Sequence, residues 1–185
     1  MAIRNNWQTW GSLSIGLHWL TFIFILSLAI VGLFMTELAN GPLKIQVYAL
    51  HKSFGLTVLG LTIIRLVWRL LSITPKTTAN MPAWQNFVAK LTHGLLYLLL
   101  FAMPISGWLY NSAAGFPLKY FGLFKLPKLS DYSPELKQLA GDAHETFFYI
   151  LALLMLIHAG AALKHHYLDK DNTLTRMLPW LAKKS

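Results

Sequence analysis

The sequence predicts an all-α integral membrane protein, a four-helix bundle with both termini cytoplasmic. Three observations carry that expectation. Of the 185 residues, 55% are apolar and only 12% charged, a balance too oily for an ordinary soluble domain and short enough for a single one. The charges are segregated: none falls between Arg4 and Glu37, from Leu91 to Leu118, or between Glu145 and Lys164. About 20 uncharged, mostly apolar residues suffice to cross a bilayer as a helix. The third observation is asymmetry. Threading four spans puts Arg4, Arg65, Arg69, Lys76, Lys90, Lys164, Lys170, Arg176, Lys183 and Lys184 on the side of the termini against two acids, while six lysines face five acids opposite. Basic residues mark the cytoplasmic side.

In chain order, Trp7 and Trp10 form a polar, aromatic lead suited to a membrane interface, without the cleavage-site pattern of a signal peptide. The first span is residues 14–35 and carries His18. Asn40-Gly41-Pro42 marks a short turn. The second span, 45–71, has a charge-free core of only twelve residues, Ser53 to Ile64; it crosses the membrane if Lys52 and Arg69 snorkel to opposite interfaces and Arg65 faces inward. A polar connector from Ser72 to Ala83 leads to the third span, 84–110, with His93 early and Pro104 and Gly107 late. Asn111 to Asp131 is the longest connection, rich in aromatics and lysines and read as an interfacial belt and lid, with docking or electron entry as the sharper alternative. Ser133-Pro134-Glu135 combines an N-cap residue with Pro at the first helical position, so the last helix starts there and spans the membrane over 142–166. No internal repeat is present.

The absence of cysteine excludes disulfides, thiolate catalysis, iron–sulfur clusters and covalently attached haem, and leaves histidine as the soft ligand. The net charge of +9 follows from the residues flanking the spans, so it reports topology, not nucleic-acid binding. Transporters of the broken-helix kind would show interrupted spans in repeated halves. Only Pro104 interrupts one here.

His144 and His158 lie fourteen residues apart on the last span. That spacing advances a helix by roughly 21 Å and four turns less about 40°, so both sit on one face at two depths. His51 enters its span from the same side as His144 and at the same level. His18, about 12 Å above Trp10, and His158, about 9 Å above Lys164, share the other level. One membrane histidine is ordinarily an interhelical hydrogen-bonding residue; four at matched depths suggest pairs His51/His144 and His18/His158. Two imidazoles suit a macrocycle with four nitrogens of its own better than zinc, which wants three or four protein ligands. The expected cofactors are two haem b, their iron held by His18, His51, His144 and His158. Arg65, fourteen residues after His51, falls at the inner depth as a propionate partner. Lys52 is a second candidate for the outer haem, with snorkelling as its plain alternative. Three roles are open to His93: displacing His18 as ligand, lining a quinone pocket, or bridging helices. His165 and His166 are expected at the wet interface.

Gly16-Leu-His18-Trp19-Leu20, Leu50-His51-Lys52-Ser53-Phe54-Gly55, Arg65-Leu-Val-Trp-Arg69, His93-Gly-Leu-Leu-Tyr97, Pro104-Ile-Ser-Gly107, Asp142-Ala-His144-Glu145, His158-Ala159 and Lys164-His165-His166-Tyr167 through Leu174 together resemble the bacterial cytochrome b561 family, in order and over nearly the whole chain. The resemblance implies a dihaem cytochrome of the bacterial inner membrane that exchanges electrons with quinone, and it places ligand roles on the same four histidines. One branch is similar to superoxide oxidase, which implies superoxide as donor and ubiquinone as acceptor. Asn111-Ser-Ala-Ala-Gly-Phe-Pro-Leu looks more like sibling members. Two readings are therefore carried forward: an oxidoreductase that draws superoxide to Lys52, Lys119, Lys125 and Lys128, and an electron-transfer subunit on which a periplasmic redox protein docks.

Overall fold

The computed structural model describes residues 2–76 and 82–181. Four long helices, α1 (Ser12–Met35), α2 (Pro42–Leu71), α3 (Ala83–Ala113) and α4 (Pro134–Tyr167), make up the body. All four are long and apolar enough to cross a membrane. The middle of the expected connector, 77–81, and the expected terminal lysines Lys183 and Lys184 lie outside the described residues.

Each boundary has a local cause. α1 starts after Gly11, where the N-terminal segment folds back so that Ser12 N–H bonds Ala2 C=O; a β-carbon on Gly11 would run into the Ile3 carbonyl. Pro42 opens α2 at a position where a missing N–H costs nothing. α4 opens on Ser133, whose Oγ accepts from Leu136 N–H at 3.2 Å, with Glu135 in the first turn. Within α3, Pro104 is carried inside one continuous helix.

Close packing is pairwise along the chain: α1 on α2, α2 on α3, α3 on α4. Thr21 and Thr62 are fully buried, and each satisfies its hydroxyl on the carbonyl four residues back, Leu17 and Val58. Small side chains let membrane helices approach, and a polar group in lipid must be bonded internally. The outward faces are bare leucine, isoleucine and phenylalanine, such as Phe34, Leu153 and Leu156. α4 makes its close backbone contacts with α3, and stands off from α1 and α2.

Two expectations need correction. α3 runs one turn further than 110, so Asn111 and Ser112 are helical and buried, at 3% and 1% exposure. They are retained there because their side chains bond the following loop: Asn111 to Phe116 C=O, and Ser112 Oγ from Leu129 N–H. Within the long connection, Leu118–Tyr120 (β1) and Phe124–Leu126 (β2) pair as an antiparallel hairpin. β1 lies on α2: Ser53 Oγ accepts from Phe121 N–H at 3.0 Å, Thr57 and the Tyr120 hydroxyl share a hydrogen bond, and Phe121 meets Phe54 edge-on. His165, expected wet, has a side chain only 14% exposed because two aspartates hold it.

At the opposite end, the N-terminal segment, the α2–α3 connector and the C-terminal tail are stitched together. Lys76 N–H bonds Trp7 C=O, Arg176 donates to Lys76 C=O at 2.6 Å, and the Trp19 indole donates to Met177 C=O.

Candidate functional site

The separations between α4 and its non-neighbours are where the histidines face one another. At the inner level His18 of α1 and His158 of α4 have ring centroids 6.3 Å apart, with planes at 57°. His93 of α3 stands 5.2 Å from His158, edge-on. Two imidazoles bound from opposite sides of one metal ion through bonds of about 2 Å place their centroids about 6 Å apart once the ring radii are added. The first separation meets that requirement; the second is too short and is an ordinary edge contact.

The outer level is that of His51 of α2 and His144 of α4. Each ring is wedged against a glycine. A β-carbon on Gly32 of α1 would stand 3.3 Å from His51 Cε1, and one on Gly107 of α3 would stand 3.1 Å from His144 Cε1. His144 Nδ1 lies 3.0 Å from the Met103 carbonyl, which Ser106 Oγ also reaches at 2.8 Å. A carbonyl can only accept, so the proton of a neutral His144 is on Nδ1 and the lone pair on Nε2 is free to bind a metal. His51 Nδ1 is buried without a hydrogen-bond partner, which is costly unless the imidazole is otherwise engaged. The inner pair thus has the spacing, and the outer histidines the room left by glycines, to suit a group held between two imidazoles.

Arg65 faces inward as expected. It donates to His18 Nδ1 at 2.9 Å and lies over the Tyr97 ring, with Arg69 on the same ring. That contact fixes the His18 proton on Nε2, the reverse of His144, so a metal at His18 requires the guanidinium to turn to another acceptor. Lys52 bonds Asn111 Oδ1 at 3.0 Å, tying α2 to the end of α3. Sequence reasoning missed Gly32, Ser106, the Met103 carbonyl and Tyr97. Ser106, Gly107 and Tyr97 stood in noted motifs, but their roles depend on which helices meet.

Among the described residues, one further cluster has metal-ligand character: atoms of His165, Asp169 and Asp171 within 4.8 Å of one another. Lys164 already sits on Asp169 at 2.6 Å, and His165 Nδ1 is 2.8 Å from Asp171. The Asp171 N–H also bonds His165 C=O. The cluster is a lock at the end of α4.

A membrane bundle in which imidazoles converge from different helices suits an electron carrier built on haem. The comparisons agree. The family described as prokaryotic cytochrome b561 matches residues 9–180. Cytochrome b561 homolog 2 of Escherichia coli is 34% identical over 96% of this chain and 95% of its own length, and cytochrome b561 homolog 1 of the same organism is 36% identical over 88% and 93%. A probable superoxide oxidase CybB of Yersinia pestis is 31% identical over 93% and 97%. The chain belongs to the prokaryotic cytochrome b561 family. It is a multi-pass bacterial membrane protein that binds haem b and transfers electrons.

Proposed function

We propose that the protein is a single-domain dihaem cytochrome of the inner membrane, with both termini cytoplasmic, that carries electrons from superoxide at the outer side to ubiquinone. The observation that supports it best is the facing of His18 toward His158 at 6.3 Å, with His51 and His144 each set against a glycine of another helix at the other level. His51 and His144 hold the outer haem and His18 and His158 the inner. Bound haem would supply one-electron chemistry, and two histidines held to its iron would favour electron transfer over oxygen activation.

The chain's own residues do the rest. Met103 C=O and Ser106 hold the His144 ring in its ligand tautomer. Arg65 leaves His18 Nδ1 and takes a propionate, for which its planar fork is suited. Lys52, at the outer level, serves a propionate or holds Asn111. His93 stands beside His158 and close to Arg65, where it lines the quinone pocket and passes a proton to the ring oxygen. Two superoxide ions give two electrons and leave as two oxygen molecules, and one quinone takes those electrons with two protons.

Addition of a superoxide source to purified, oxidised protein tests this. The haem bands reduce rapidly, and superoxide dismutase suppresses the change. Bands that stay oxidised with superoxide but reduce with quinol favour the second reading, an electron-transfer subunit that takes electrons from a docked periplasmic redox protein. That reading draws on the exposed aromatics Phe116 and Tyr132 beside Lys137 in an open cleft between α3 and α4.

A further inference from the structure

The β1–β2 hairpin carries features that electron transfer does not use. Register places Lys119 directly opposite Lys125, and both are exposed, as is Lys128 just beyond. Like charges directly opposite on one sheet face are unfavourable. Among the described residues none of the three lysines takes part in an ion pair or side-chain hydrogen bond. The pattern asks for an anion.

The tip supplies the second half. Leu123 is 78% exposed and Phe124 56%. The turn is held by Leu123 N–H on Tyr120 C=O, with positive φ at both Phe121 (46°) and Gly122 (77°). A bulky residue in that region is strained, and Phe121 is kept there by its bond to Ser53 and its packing on Phe54. The strain therefore goes into holding an apolar tip in one place.

That place is at membrane depth. α2, with 30 residues, is about 45 Å long, against a hydrocarbon core of about 30 Å. The charge-free core of α2 begins at Ser53, immediately after Lys52, so a hairpin seated on Ser53 and Thr57 lies at the outer hydrocarbon boundary. The chain leaves the end of α3, turns back down α2 as far as Ser53 and Thr57, and returns to Trp108, which donates to Pro127 C=O. An exposed leucine and phenylalanine at that level meet lipid, while lysine stems reach up to the headgroups.

We propose that this hairpin is a binding site for anionic phospholipid headgroups: Lys119, Lys125 and Lys128 take the phosphates, and Leu123 and Phe124 anchor in the acyl chains of that leaflet. The site is independent of which donor the haems use. It also assigns these lysines to lipid instead of to superoxide steering, since a phosphate held between them screens their field.

The natural lack of cysteine makes a single Leu123→Cys a unique label site. Haem-loaded L123C carrying a bimane fluorophore, reconstituted in phosphatidylcholine–phosphatidylglycerol nanodiscs, is quenched by lipids with a nitroxide near the headgroup and shielded from aqueous iodide. Quenching by iodide with indifference to the nitroxide lipids overturns the proposal and returns the tip to water, free for a protein partner. In parallel, spin-labelled phosphatidylglycerol associates more strongly than spin-labelled phosphatidylcholine with the unsubstituted protein, and the preference falls on the order of fivefold for each lysine removed in Lys119→Gln and Lys125→Gln. Unchanged preference in variants with a normal haem spectrum also overturns it. The label experiment and the lipid preference of the unsubstituted protein both keep the native lysines, so together they decide the matter even if the glutamine variants fail to fold.

Discussion

At the residue scale, the outer pair depends on two glycines whose importance lies in another helix's side chain. Gly107→Val drives a branched side chain into His144, already 3.1 Å from where a β-carbon would stand. The expected outcome is loss of the outer haem with the inner retained, read as a halving of haem per protein in a pyridine haemochrome assay; Gly60→Ala, with nothing within 4 Å of the added carbon, leaves the content unchanged. Replacing His158 with alanine removes the inner haem and spares the outer. Retention of both haems in His158→Ala would sink the pairing. Arg65 is the informative polar residue here, because it is bonded to a prospective ligand. Arg65→Lys keeps the charge but loses the planar fork. We expect it to shift the inner haem midpoint potential and leave the outer one in place, as measured by redox titration.

At the element scale, α4 is the helix on which everything converges, and its start is a conventional cap. Ser133→Ala removes the acceptor for Leu136 N–H and should cost about 1 kcal/mol, seen as a lower thermal midpoint in detergent with an unchanged haem spectrum. The hairpin is the element whose structure the loop-like composition concealed. Ser53→Ala leaves Phe121 N–H without its partner, a cost of about 1–3 kcal/mol where the group is shielded from water. Amide exchange across Leu118–Leu126 rises in that variant, while α3 and α4 keep their protection. No change in exchange would mean that aromatic packing alone seats the hairpin.

At the scale of the whole molecule, the segment that follows α4 is fastened to the end of that helix by the lock. Burial of Asp171 disfavours its charge, but hydrogen bonds from Thr173 and contact with His165 outweigh this and hold the carboxyl below its ordinary value of 3.8. A depressed folded value means that the stabilisation is present above the unfolded value and disappears as pH falls through the folded one. Limited proteolysis of the tail should therefore be flat from pH 7 to about pH 5 and increase only below about pH 4. Asp171→Asn exposes the tail at every pH. Cleavage that already rises between pH 7 and 5 would assign the lock to another group.

Composition and spacing alone determined the class of this molecule. Uncharged runs can lie stably only in lipid or a core, and helical periodicity is a local property, so four spans, the two-depth placement of His144 and His158, and the inward face of Arg65 were all legible. The Ser133-Pro134 start was legible for the same reason, since capping involves neighbours in sequence. What required tertiary structure was every relation between helices: that His18 and not His93 stands at the wider spacing from His158, that Gly32 and Gly107 make room for imidazoles of other helices, and that Met103 C=O sets the His144 tautomer. The hairpin was illegible because its strands are three residues long and their stability comes from Ser53, Thr57 and Phe54, far away in the chain. Sequence encodes what a segment prefers in isolation; which partner it meets is settled only when the helices pack.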